Sequence, residues 1–348
     1  MALSRSTELH AGLRDCLLTQ VDAADADDVR DVVSRPGGGF VLVGESALAK
    51  AQEFKRAGYD QPILADLRRY AGKRRVLGSA GFQQSWILAQ QHLGLPAILT
   101  DSGYVGEDDT ESLHTILSRA ARLGPGVIAT LPLHISWMEQ RRNQKHLIAA
   151  IDDAGLPVAF ILEHARDPLA KKAALFGFVN VLRSVSVSVI LLRCDVSALG
   201  ALAFGAHTAA IGTTTGLRHL YTPGGGGPPD GIESALLRDF LAFTKVGKIA
   251  QAVEASPNDP MWICWCQFCK GRSLDWMLTA TQLEVRGHSI ELLADLRDQL
   301  TQVAPGSTRE QTWKSWCASA QFRHENLDAV DIFWETPPAI RRWQEVPD

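Results

Sequence analysis

Cys264, Cys266 and Cys269 stand in the order C-x-C-x-x-C, and His288 follows them in the same C-terminal stretch. Three thiolates this close can wrap one ion, and a later imidazole completes a tetrahedron, the Cys3His set of structural zinc sites. Thiolate softness selects Zn2+ over hard cations. Four filled positions leave no place for a reacting water, so the expected zinc holds structure and performs no catalysis. Three reduced, buried cysteines beside an unrelated histidine are the plainer alternative, and His324 is the fallback fourth ligand. Cys16, Cys194 and Cys317 stand alone, and a lone cysteine usually packs as a small buried hydrophobe.

A second group able to do chemistry sits just after short apolar runs. It comprises Asp22, Glu45, Asp66, Asp101 with Ser102, His134, Glu163 with His164, Arg193 with Asp195, and Thr213 to Thr215. Carboxylates and imidazoles of this kind serve as proton donors, acceptors or nucleophiles. Ion pairing across neighbouring loops is the structural alternative for each. A dense run of cations, Arg68, Arg69, Lys73, Arg74 and Arg75, surrounds Tyr70. Such a run could engage several phosphates while the tyrosine stacks on a base or ribose. A solvated helical face is its plainer reading.

The elements that must position these residues alternate regularly. Candidate strands cover residues 17–21, 40–43, 62–65, 97–100, 127–131, 158–162, 187–192 and 208–212. Amphipathic helices fit between them, for example at 47–57, 82–93, 110–123 and 137–154, and several end in Gly before the next strand. Eight such units in roughly 220 residues imply an α/β fold, a (β/α)8 TIM barrel, with chemistry on the loops after the strands. A doubly wound open sheet would show a Gly-rich phosphate turn after its first strand, and Pro36-Gly37-Gly38-Gly39 precedes a strand instead. From Thr222 to Gly231 the chain is rich in Gly and Pro and reads as a linker. Helical patterns return at 232–245 and from Ser289 onward. The expected division is therefore a barrel over 1–222 and a linker with a zinc-binding helical subdomain over 223–348.

Composition narrows the function classes. Of 348 residues, 46% are apolar and 21% charged, which excludes a disordered, fibrous or membrane-spanning chain. Lys and Arg number 35 against 39 Asp and Glu, a net charge of −4, so any nucleic-acid contact must be a local patch. Trp262, Trp265, Trp276, Trp313 and Trp316 crowd the stretch after residue 260. The first eight residues lack an apolar h-region and the apolar runs fall far short of a bilayer span. The expectation is a cytoplasmic protein with reduced cysteines and no membrane partner.

Two local motifs resemble one family. The C-x-C-x-x-C…H pattern beyond a barrel is what tRNA-guanine transglycosylases carry, and Thr100-Asp101-Ser102-Gly103 resembles the core of their T-D-S-G-G-F-Q motif. The resemblance implies base exchange, in which a carboxylate attacks C1′ of a guanosine and a 7-deazaguanine then displaces the enzyme. It places Asp101 in proton transfer at the base and makes the zinc shape a nucleic-acid-docking subdomain. The family's nucleophile lies in a late-strand run like F-D-C-V-x-P-T-R, and the matching stretch from Thr208 to His219 has no carboxylate. Asp195, one strand upstream, is the substitute nucleophile, and His134 occupies a strand end comparable to the family's substrate-binding aspartate.

The expected site is thus Asp101 and Asp195 as catalytic pair, with Ser102, Gly103, His134, Glu163, His164, Arg68, Arg69 and Arg74 binding substrate. The implied partners are tRNA or DNA and a purine or deazapurine base, with a homodimer left open. Two other classes compete. One is a non-catalytic nucleic-acid-binding barrel with structural zinc; the other is an unrelated barrel hydrolase using Asp101, Glu163 and His164. Two-carboxylate chemistry requires Asp195 within roughly 7 Å of Asp101 across the mouth.

Overall fold

The computed structural model describes residues 9–224, 233–328 and 334–347. Short runs of β-branched and aliphatic residues, buried on both faces, build parallel strands that cannot stand at a surface. These are β1 (Cys16–Asp22), β2 (Phe40–Val43), β3 (Ile63–Asp66), β4 (Ile98–Leu99), β5 (Val127–His134), β6 (Val158–Glu163), β7 (Val189–Cys194) and β8 (Thr208–Gly212). They pair in the order β3-β2-β1-β8-β7-β6-β5-β4. β3 and β4 lie side by side without a ladder, and the loop after β3 crosses the gap through a parallel bridge between Leu77 and Tyr104. The sheet is a nearly closed (β/α)8 barrel.

Helices cover its outside: α1 (Ala26–Val33), α2 (Ala47–Arg56), α3 (Gln84–His92), α4 (Thr110–Ala120), α5 (Ser136–Glu139), α6 (Arg141–Ala154), α7 (Lys172–Ser184) and α8 (Ser197–Ala203). Gly155 ends α6 in the left-handed conformation (φ 60°), donating to Ile151 O before the chain enters β6. The single helix expected over 137–154 is two helices, because Gln140 is extended (φ −96°, ψ 121°).

Strand alternation separates two cores. Leu18, Val41, Leu64, Leu99, Ile128, Ile161, Ile190, Leu192 and Ala210 fill the barrel, while Leu17, Leu42, Ala65, Leu131 and Phe160 face the helices. Leu9, Leu13 and Cys16 belong to the inner core at the end where the strands begin; Tyr70, Tyr104 and Leu220 belong to it where they end.

Beyond the barrel, the helix expected over 232–245 is instead an antiparallel hairpin of β9 (Ser234–Leu237) and β10 (Ala242–Lys245). Ala235, Leu236 and Leu237 are buried and β9 packs against a later helix, so tertiary burial overrides helical propensity. Residue 232 and residues 225–231 of the expected linker lie outside the described residues. There follow α9 (Val246–Ala255), a small hairpin of β11 (Ile263–Cys264) and β12 (Arg272–Ser273), then α10 (Gln282–Thr301), α11 (Arg309–Asp328) and α12 (Pro338–Gln344).

These helices close against the barrel's own layer. α10 packs on α1, and α11 on α8. Trp343 of α12 donates to Ser197 Oγ (3.2 Å) and lies edge-on to Trp313. A Cβ at Gly200 of α8 would stand 2.6 Å from the Trp343 ring, so only glycine admits it. Trp265, by contrast, is 81% exposed. Among the described residues no helix is long and apolar enough to cross a membrane.

Candidate active site and metal centre

The inward positions of the strands continue past the inner core into a polar layer at the C-terminal mouth. Two residues beyond Leu64, Leu99 and Ile161 stand Asp66, Asp101 and Glu163, on the same inward face. All three are buried and none is free. Asp66 accepts from the backbone N–H of Arg68 (2.8 Å), the Tyr70 hydroxyl (2.5 Å) and Gln20 Nε2 (3.4 Å). Asp101 accepts from Arg69 Nη1 (2.6 Å) and from the backbone N–H of Gln83 (2.9 Å). Glu163 accepts from Arg75 and from the Tyr104 hydroxyl, and the Arg75 guanidinium lies 3.5 Å over the Tyr104 ring. Burial pushes the carboxyls of Asp66 and Asp101 upward, against the pull of these donors.

This pairing accounts for most of the basic run. Arg69 and Arg75 turn into the mouth, and Arg68 reaches Asp22 at 3.3 Å. Tyr70, at 1% exposure, is unavailable for stacking. Lys73 and Arg74 remain exposed.

The resemblance motif is consumed by packing. Thr100 Oγ1 accepts from the Thr130 N–H (2.9 Å) and bonds the buried Ser102 hydroxyl (2.8 Å). Gly103 passes so near the 77 peptide that a Cβ would stand 2.3 Å from the Leu77 oxygen. Ser102 and Gly103 therefore shape the seam between β3 and β4 rather than a substrate pocket.

Asp195 and Asp101, the expected catalytic pair, have separate partners. Asp195 lies past the end of β7, where its carboxylate accepts from the Ser197 N–H at 2.9 Å and interacts with Asp167 and Arg218. β7 and β4 are three strands apart in the sheet order, and Asp101 is committed to Arg69. Desolvation, then the neighbouring Asp195 charge, pushes Asp167 well above the usual carboxylate range.

His134 and Glu163 are partners in the β5–β6 register. His134 Nδ1 accepts from the Ser136 N–H (3.3 Å), and His164 Nδ1 from the Arg166 N–H (3.2 Å). His134 in neutral form thus carries its proton on Nε2, whereas His164 Nδ1 also lies 3.1 Å from the Arg166 carbonyl, to which it can only donate.

Two residues outside the expected set belong to the same layer. β7 is irregular between Leu191 and Cys194, and Arg193 there adopts a left-handed backbone (φ 51°). Its N–H donates to Gln20 Oε1 (2.7 Å) and its Nη2 to Gly216 O. Nε and Nη1 have no partner, although the residue is only 5% exposed. His219, at 8% exposure, likewise has an unpartnered Nε2. Arg193 follows an ordinary strand pattern, so sequence carries no sign of the bulge.

The four residues expected to ligate a metal do converge. Cys264 ends β11, Cys266 and Cys269 lie in the turn that follows, and His288 sits in α10. Their ligand atoms all lie within 4.8 Å of one another. His288 Nδ1 is 3.6, 3.4 and 3.3 Å from the three sulfurs in chain order. Its Nε2 donates to Leu236 O on β9 (2.9 Å), which fixes Nδ1 as the ligating nitrogen. Gly287, one residue earlier, leaves room for the Phe268 ring, 2.2 Å from where a Cβ would stand. Hydrogen bonds from Cys264 and Cys269 push the Cys266 thiol far down, while contact with Cys264 and Cys266 pushes Cys269 up. The cluster could hold a metal ion. His324 is elsewhere engaged, accepting from Trp334 Nε1 (2.7 Å) and donating to Phe240 O (2.9 Å).

No family model and no curated protein matches the chain. Among solved structures, thiamine phosphate pyrophosphorylase from Pyrococcus furiosus aligns at 12% identity and a TM-score of 0.35, over 59% of this chain and 88% of its own. A mutant tryptophan synthase alpha-subunit from the same organism aligns at 15% and 0.38, over 57% and 88%. The carboxyl transferase domain of Rhizobium etli pyruvate carboxylase gives 11% and 0.36, over 95% and 60%. The expected kinship with tRNA-guanine transglycosylases is corrected by these results: no family model and no curated protein of that kind matches, and the structures named here are barrel enzymes of other kinds. Base exchange falls with it, and Asp101 and Asp195 each answer to other partners, Arg69 and the Ser197 N–H.

Proposed function

We propose that the chain is a zinc-clamped barrel enzyme, unrelated to base exchange, that works by proton transfer on a small molecule at the C-terminal mouth. One observation carries this reading: charge is buried at one end of the barrel. Asp66, Asp101, Glu163 and Arg193 are buried where the strands end, whereas Leu9, Leu13 and Cys16 fill the opposite end with apolar atoms. Buried ion pairs seldom stabilise a fold more than apolar packing would, and barrel enzymes place their chemistry at this end. Glu163, held by Arg75 and the Tyr104 hydroxyl, is the proton-accepting group once substrate displaces one of these donors, and the Nε2–H of His134 beside it is the donor. Asp101 is a positioning residue that anchors Arg69 and the Gln83 backbone.

The metal is zinc held for structure. With Zn–S near 2.3 Å and Zn–N near 2.0 Å, a tetrahedron has S···N edges of about 3.5 Å, matching the 3.3–3.6 Å separations here. The test is depletion of single components from a mixture of small metabolites, followed by mass spectrometry. Wild-type and Asp101→Asn protein should consume the same component, and Glu163→Gln should not. Folded, zinc-loaded wild type that consumes nothing would overturn the enzyme reading.

A further inference from the structure

We infer that the ends of β7 and β8 form a phosphate-binding subsite, anchored by Arg193 and His219, for the substrate of the mouth. This rests on the reading of the mouth as an active site and gives its ligand a chemical class. Ile190 and Leu192 point into the barrel, so regular alternation would send residue 193 out to the helices. The irregularity and the left-handed backbone at Arg193 turn it inward instead, its guanidinium 5.8 Å from the Tyr70 ring. A bulge with a non-glycine residue in this conformation is a device for re-aiming a side chain at functional sites.

What it aims is an incompletely satisfied cation. The guanidinium cannot lose its charge, one nitrogen is tethered to Gly216 O, and Nε and Nη1 are unpartnered. The nearby Asp66 carboxylate, which takes its hydrogen bonds from Tyr70, Arg68 and Gln20, offsets part of this charge without capping those two nitrogens. His219 contributes a second unpartnered nitrogen and is packed against the Tyr221 ring at 4.0 Å. Burial first, then Arg193, His164 and Arg218, hold its pKa down to about 4, so the ring meets an arriving anion as a neutral hydrogen-bonding group. Thr213, Thr214 and Thr215 are partly exposed beside it, and Gly216 is exposed, with Thr214 Oγ1 4.0 Å from where a Cβ would stand. Loops after the seventh and eighth strands are where barrels hold phosphoryl groups.

The probe is inorganic phosphate, titrated calorimetrically into the full zinc-loaded chain at constant ionic strength. Wild type should bind it, and Arg193→Asn, which tolerates the left-handed backbone, should bind about tenfold or more weakly. His219→Gln should weaken binding as well, and it carries the test if Arg193→Asn does not fold. The exposed Lys73→Ala should change nothing. Absence of binding to wild type, equal weakening by Lys73→Ala, or tighter binding of acetate than of phosphate would each overturn the subsite. Phosphate binding without any turnover would strike the enzyme reading alone.

Discussion

His288 Nε2 donates to the carbonyl of Leu236 at 2.9 Å, so the metal cluster is tied through one imidazole to the hairpin that follows the barrel. Four ligands drawn from β11, its turn and α10 thus fasten three separated segments at once. A ligand substitution should be felt well beyond the cluster.

Cys266→Ser should therefore lower bound zinc and thermal stability together, since metal binding is coupled to folding. Elemental analysis and a melting curve on the same sample check this. Full metal content in the variant would refute the assignment of Cys266 as a ligand.

Gly103→Ala should destabilise the barrel by about 1–3 kcal/mol, because the added methyl would press on the Leu77 carbonyl, an atom of backbone that cannot swing aside. Urea unfolding measures it. A variant as stable as wild type would remove the packing explanation for the Thr100–Gly103 run.

Stability should fall on mild acidification through the buried histidines. His324 and His219 are each pushed down to about 4, first by burial and then by neighbouring cations. Unfolded, each titrates near 6.5, so between these values the unfolded state binds more protons and stability rises with pH. The contribution is complete above 6.5 and lost as pH falls toward 4. Burial raises Asp66 and Asp101, which act in the opposite sense: their contribution is present below the ordinary carboxylate value and lost as pH rises through the folded one. His324→Gln isolates one histidine. Its urea midpoint should drop less than wild type between about pH 7 and pH 5; an identical drop would mean that His324 does not contribute.

The barrel strands were legible because parallel strands covered on both faces are continuous apolar runs; β2 and β8 fall where composition alone puts them. The metal ligands were legible because three of the four are close in sequence. The mouth was not. Arg75 meets Glu163 across 88 residues and Arg69 meets Asp101 across 32, pairings that no local pattern encodes. The Thr-Asp-Ser-Gly run shows the same limit: its residue types suit chemistry, but its neighbours, Leu77, Thr130 and Arg69, assign it to packing. The β9–β10 hairpin escaped detection because its apolar residues answer to α10, more than forty residues later.

The gap between β3 and β4 makes this barrel a split ring. What spans the split includes Tyr104 N–H to Val76 O (2.7 Å), Gly78 N–H to Tyr104 O (2.8 Å), the Arg69–Asp101 ion pair, and Arg75 over the Tyr104 ring. A split ring springs at its slit. The loop that supplies Arg69, Tyr70 and Arg75 to the mouth is also the clasp of the slit. Widening the slit and unpacking the mouth are, mechanically, one displacement.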